Sequence, residues 1–181
     1  MSSSDLVSWG RRALLLGGFL ALASCTYEPV NAPGGAAEGM RQGDISVQAP
    51  ETEDDFSLVA RLEERLGRAG RAPSYDLGYR LNVIEDPVGV RPNQEIQRYN
   101  VIGRIDWTLT STETGAVVGS GGFESFTSYA ATGQPAAGLT AQEDAHKRLM
   151  VLLADQLVTR LVATATDWRN GGTAPGAYPA Q

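Results

Sequence analysis

The stretch "YDLGYRLNVIED", residues 75–86, decides the fold. In it Leu77, Tyr79, Leu81 and Val83 alternate with Asp76, Arg80 and Asn82. Successive side chains of a strand point to opposite faces, so this period of two predicts a half-buried β-strand. The segment "RYNVIGRIDWTLTST", residues 98–112, repeats the pattern. Tyr99, Val101, Ile105, Trp107 and Leu109 share one face, and Asn100, Arg104, Asp106 and Thr108 share the other. Between the two, "EDPVGVRPNQE" (85–95) holds two prolines and a glycine, which predicts a long loop. After the second strand, "ETGA" (113–116) predicts a hairpin turn, with Gly115 available for a positive φ. The returning strand "VVGSGGFESFTSYA" (117–130) is rich in glycine, which predicts a bulge, a strong twist or close approach by a neighbour.

The flanks supply the covering layer. Asp44 to Ala49, "DISVQA", alternates Ile45 and Val47 and predicts a short strand. The acidic run "ETEDD" follows and suits the positive N-terminus of a helix from about Asp54 to Ala69. Phe56, Val59, Leu62 or Glu63, and Leu66 give that helix most of an apolar stripe; Arg61, Glu64, Arg65 and Arg68 lie outside it, and Gly70 is the expected stop. The last element, "TAQEDAHKRLMVLLADQLVTRLVATATDW" (140–168), starts on a capping box of Thr140 and Glu143. Leu149, Leu153, Leu157, Leu161 and Ala165 recur every four residues, backed by Leu152, Val158, Val162 and Trp168. The order β-α-β-β-β-α predicts an α+β two-layer sandwich, a four-stranded sheet with two helices on one face.

Upstream of this unit, Arg11 and Arg12 precede an uncharged run of twelve residues, Ala13 to Ser24. A bilayer span takes about 20 apolar residues, so this run fits a signal-peptide core better than a transmembrane helix. Its end, Leu22-Ala23-Ser24-Cys25, resembles a bacterial lipobox. The resemblance implies cleavage before Cys25 and lipidation of its thiol and new amine. A lone cysteine can form no internal disulfide, and it lacks the close Cys and His companions of a zinc site. Thr26, rather than an aspartate, follows Cys25, which by the enteric sorting rule implies the outer membrane. The expected organisation is a signal peptide over 1–24, a lipidated flexible tether over 25–43, a folded domain over 44–169 and a disordered tail over 170–181.

Removing Arg11, Arg12 and Asp5 with the signal leaves 13 basic and 20 acidic side chains, a net charge of −7. An acidic chain of this kind argues against nucleic acid as a partner, since that affinity rests on neutralising phosphates. No phosphate loop, dinucleotide fingerprint or zinc spacing occurs in the sequence, so neither cofactor nor metal is expected. The single histidine, His146, falls on the polar side of the last helix beside Asp144 and Lys147 and reads as solvated. With no nucleophile to place beside it, the chain does not read as an enzyme. A binding role remains. Arg80, Arg98 and Arg104 project from the polar strand faces and Arg91 sits on the predicted loop; arginine forks suit the phosphates of a lipid head group. A solvated face neutralised by Asp76 and Asp106 is the plainer reading of the same residues.

The chain resembles the lipopolysaccharide-assembly lipoprotein family, LptE, from Cys25 to about Trp168. The features are the start "C-T-Y-E-P-V" (25–30), "YRLNV" (79–83), "Y-N-V" (99–101), "FTSYAAT" (126–132) and, above all, "EDAHKRLMVLLADQLVTRL" (143–161). The resemblance implies a lipid-anchored, periplasm-facing outer-membrane protein. Such a protein plugs a large outer-membrane β-barrel, helps it fold and binds lipopolysaccharide on its way to the surface. An auxiliary lipoprotein of an ABC-type envelope lipid transporter can share the anchor, size and layering, and is the alternative. The Gly- and Pro-rich C-terminal extension has no counterpart in the family pattern.

Overall fold

A computed structural model describes residues 43–90, 96–131 and 135–169. The expected signal peptide, the expected tether with Cys25 except for Gly43, the expected tail and Arg91 lie outside the described residues. The elements are β1 (Ile45–Val47), α1 (Glu53–Leu66), β2 (Tyr75–Val90), β3 (Ile96–Ser111), β4 (Val117–Ala130), α2 (Pro135–Ala163) and a short α3 (Ala165–Arg169). The strands form one sheet in the order β1-β2-β3-β4, with β1 parallel to β2 and the other pairs antiparallel. This is the expected α+β sandwich, with both helices over one sheet face.

Register turns the sequence alternation into layers. Leu77 pairs with Leu109, Tyr79 with Trp107, Leu81 with Ile105, and Ile105 in turn with Phe123. In β2, in β3 and in β4 from Gly119 on, the odd-numbered residues therefore face the helices; before that the register shift in β4 turns Val118 to the core and leaves Val117 exposed. Leu77, Val101, Ile105 and Leu109 are fully buried there, against Leu58, Leu62 and Leu66 of α1 and Leu149, Leu153, Leu157 and Leu161 of α2. Among the described residues no polar or charged residue is fully buried, so the core is held by apolar burial alone.

Local chemistry explains where each element stops. Thr52 caps α1: its hydroxyl accepts from the Asp55 amide while the Asp55 carboxylate accepts from the Thr52 amide, a capping box. Glu53, Asp54 and Asp55 then line the first turn, where negative charge suits the helix dipole. The helix ends at Gly67, with φ of +81°, three residues before the expected stop at Gly70. Phe56, expected in the apolar stripe, is 62% exposed; Leu58 takes its place beside Val59, Leu62 and Leu66. The turn after β3 is as expected, with Gly115 at φ of +70° and its amide bonded to the Ser111 carbonyl.

Two expectations need larger correction. Residues 85–90, read as loop, continue β2, and Pro87 lies opposite Tyr99 in the ladder. Past Leu77 no strand among the described residues neighbours the outer side of β2, and an open edge is where a proline's missing N–H is tolerated. The long hairpin therefore runs on to Val90 and resumes at Ile96. The last helix begins at Pro135, not at Thr140. Proline suits a first helical position, because its missing amide would have had no intrahelical partner. The same helix breaks at Thr164, whose hydroxyl bonds the Arg160 carbonyl, and α3 then turns Trp168 edge-on against Tyr75 at 4.7 Å. Leu152, expected to back the stripe, is 43% exposed, while Ala145, Met150 and Ala154 are buried.

The glycines of β3 and β4 mark close approach. A Cβ on Gly103 would lie 2.9 Å from Leu153 Cδ1 and 3.0 Å from Leu149 Cδ2. On β4, Gly119 and Gly121 leave room for the Trp107 indole, and the strand register shifts at Leu109/Thr110. Gly103→Val should lower the unfolding free energy by at least about 1–3 kcal/mol, the usual cost of overpacking a tight core. Thr52→Ala should cost about 1 kcal/mol through loss of the cap. Urea unfolding followed by circular dichroism measures both.

Candidate binding face

With both helices on one side, the even-numbered residues of β2 and β3, and of β4 from Ser120 on, form a sheet face left open by the described residues. Its rungs follow from the register. Asn82, Arg104 and Glu124 share one rung, Ile84, Ile102 and Phe126 the next, then Asp86, Asn100 and Ser128, then Val88, Arg98 and Ala130. The second of these is an apolar rung across an otherwise polar face. Ile84 is 53% and Phe126 66% exposed. Such cross-strand neighbours pack on each other, yet nothing among the described residues covers them.

The sequence-predicted arginines sort as follows. Arg80, Arg98 and Arg104 all project from this face, as their parity requires. Arg104 is engaged by Asp106 of its own strand, with Nη2 donating to Oδ1 at 3.0 Å. Arg80 lies opposite Asp106 in the ladder, and neither Arg80 nor Arg98 has an ion-pair partner among the described residues. Arg91 lies outside the described residues. Asp76, Asp86, Asp106 and Glu124 share the face, so the three arginines do not make it positive as a whole. Any attraction for an anion there is local to each guanidinium. Arg80 also lines a groove of about 660 Å³ where β1 stops, with Gln48, Thr52, Asp55, Tyr79 and Asp106 around it. Burial, helped by Asp55 and Glu51, pushes the Tyr79 hydroxyl up to about 12, so it stays protonated and can donate.

On the helical side, His146 is not the solvated residue its neighbours suggested. It sits at the junction of α1, β2 and α2, with its side chain only 23% exposed. Its Nδ1 lies 2.9 Å from Asp54 Oδ2 and its Nε2 lies 3.0 Å from Glu85 Oε1. Glu85 also accepts from the Tyr129 hydroxyl and from Gln142 Nε2, each at 2.6 Å. Burial alone would lower the histidine's pKa, but the two carboxylates outweigh it and hold His146 above its ordinary value. Burial would likewise raise Glu85, and the three donors outweigh it and hold the carboxyl below its ordinary value. Helical spacing carried one sign of this placement: His146 precedes the buried Met150 by one turn. The apolar rung was equally legible in principle, since Ile84, Ile102 and Phe126 share parity with the polar residues around them.

Parity makes a sharp comparison possible. Phe123→Ala, on the buried face beneath Arg160, should destabilise by about 3–5 kcal/mol. Phe126→Ala, three residues on, should cost no more than about 1 kcal/mol, the scale of a cross-strand pair. Denaturant midpoints of the two variants decide it.

Relatives of known structure share the architecture. A candidate lipoprotein from Caulobacter crescentus aligns with a TM-score of 0.60 at 26% identity, over 73% of this chain and 98% of its own. The rare lipoprotein B of Shewanella oneidensis aligns at 0.55 with 14% identity, over 69% and 96%. Lipoprotein B of Nitrosomonas europaea aligns at 0.54 with 11% identity, over 70% and 86%, and at these lower identities the likeness is one of fold. Among curated proteins there is no match. The model of the LptE family, lipopolysaccharide-assembly, matches residues 43–161, which run from the entry to β1 through nearly all of α2. The chain belongs to the LptE lipopolysaccharide-assembly family.

Proposed function

We propose that this chain is an outer-membrane lipoprotein facing the periplasm, anchored through lipid on Cys25. In this reading it plugs the lipopolysaccharide-translocating β-barrel, assists assembly of that barrel and helps insert lipopolysaccharide at the cell surface. The observation that carries the reading is the extent of the family match. It covers β1 through most of α2, so the kinship belongs to the whole folded body and not to one short motif. The anchor fits the physics of attachment: each buried methylene contributes about 0.8 kcal/mol, one chain holds marginally, and several hold firmly. The role requires binding and no bond-making. His146 suits that, since it has carboxylates and no nucleophile at either ring nitrogen.

The open sheet face is the surface proposed to meet lipopolysaccharide. Arg98 and Arg104 are six residues apart on β3, about 20 Å at strand rise, with the rung of Ile84, Ile102 and Phe126 between them. A ligand carrying both phosphates and acyl chains matches that alternation of guanidinium and apolar surface. Arg80 and Arg98 offer forks without an ion pair among the described residues, and Arg104 must first release Asp106. That exposed pair is worth at most about 1 kcal/mol. Arg91 joins the set by its place between β2 and β3 in the chain.

Detergent purification of the intact lipoprotein at native expression, with partners identified by mass spectrometry, tests the plug. A roughly equimolar outer-membrane barrel is the expected companion; an inner-membrane transporter in its place would overturn the reading and favour the auxiliary-transporter role. Replacing Arg80 and Arg98 together by Glu should weaken binding to lipopolysaccharide by about tenfold or more, the scale of one charge-assisted hydrogen bond. Unchanged binding would remove the open face from the proposal.

A further inference from the structure

We propose that His146 is a proton-operated latch that ties α1, the sheet and α2 together at one end of the molecule. The inference goes beyond the lipopolysaccharide reading and stands on geometry. Both nitrogens of one imidazole meet carboxylates from different elements, Asp54 on α1 and Glu85 on β2, while the ring itself belongs to α2. Only the doubly protonated ring satisfies both. A neutral ring has one donor, so one nitrogen lone pair would face a carboxylate and that bond would become a repulsion. The imidazolium is also the sole bridge between Asp54 and Glu85 among the described residues.

The groups around the ring settle the direction of the response. From α1 come Asp54 and, beside it, Glu53; from β2 comes Glu85; from β4 comes the Tyr129 hydroxyl, bonded to Glu85. Tyr129 in turn stacks on Tyr99 of β3 at 5.2 Å. From α2 itself come Gln142, Glu143 and Lys147. Carboxylates outnumber the one neighbouring cation, so the surroundings favour the charged ring. Burial and the Glu85 bond together also push the Tyr129 hydroxyl upward, so Tyr129 remains a donor through neutral pH.

The sign follows from linkage. His146 has a folded pKa above its ordinary 6.5, so its stabilisation is fully present below 6.5 and is lost as pH rises through the folded value. Glu85 is held below its ordinary 4.5, so its share is present above 4.5 and is lost as pH falls through its folded value. The latch is closed between these limits. Raising the pH unfastens it and loosens α1's first turn from α2, around a cleft of about 340 Å³ lined by Thr52, Asp54, Ser57, Gln142 and His146.

The chain holds a single histidine, so its imidazole resonances are unambiguous by NMR. In the full mature chain, His146 should titrate above 6.5, and Glu85→Gln should bring that midpoint down by removing one of the two charges. Hydrogen exchange, corrected for intrinsic rate, should show severalfold weaker protection of residues 142–146 at about pH 8.5 than at about pH 6. His146→Gln should abolish that pH dependence, with weak protection at both. A midpoint at or below 6.5, an unmoved midpoint in Glu85→Gln, or a pH dependence that survives in His146→Gln would each overturn the latch. Should His146→Gln fail to fold, the Glu85→Gln titration still decides.

Discussion

The seat of α2 on Gly103 is the contact on which the rest of the arrangement depends. Leu149 and Leu153 press on the middle strand where a side chain of any size would hold them off. The helix then crosses the sheet diagonally. In its first half the Ala145 carbonyl accepts from the Thr127 hydroxyl of β4, and beyond its end Trp168 meets Tyr75 at the beginning of β2. Dispersion and apolar burial both fall off over fractions of an ångström, so a close approach at this one point sets how well every later leucine packs.

α1 depends on that placement in turn. It packs against α2 and shares the core through Leu58, Leu62 and Leu66, and it is fastened at one side by a two-bond fork from Arg61 to Asp155. Two turns earlier along the same face of α1, Asp54 meets His146. Both fastenings run helix to helix, so the upper layer is a unit docked on the sheet through α2. The polar links are partly exposed and add orientation more than energy, while the leucine layer supplies the stability.

Because both helices lie above one side of the four-stranded sheet, the described residues leave the other side as a broad uncovered face. That face mixes signs of charge and carries an apolar rung, unlike a uniformly solvated surface. An occupant with alternating character, whether an amphipathic lipid or a protein wall, is better suited to it than a polyanion. The acidic whole and the local arginines are therefore compatible. Charge at long range is screened within about 10 Å, and recognition is decided at the individual fork.

The sequence by itself determined that the strands exist, the faces of β2 and β3 up to the prolines, and the repeat of four leucines. Period-two alternation and a repeat of four are properties of neighbouring residues, and each follows from the geometry of one strand or one helix. On the same footing Arg80, Arg98 and Arg104 could be assigned to one face before any pairing was known. The tertiary structure decided what depends on partners distant in the chain. Pro87 is tolerated within β2 because β1 is too short to reach it, which no local reading of the proline reveals. Phe56 and Leu152 look like core residues on their own helices and are exposed because the facing element lies elsewhere. His146 looks solvated beside its own neighbours, and is a bridge only because folding brings Asp54, 92 positions away, and Glu85, 61 positions away, to its two nitrogens. Burial and hydrogen bonding are set by those long-range encounters, and a one-dimensional pattern holds no record of them.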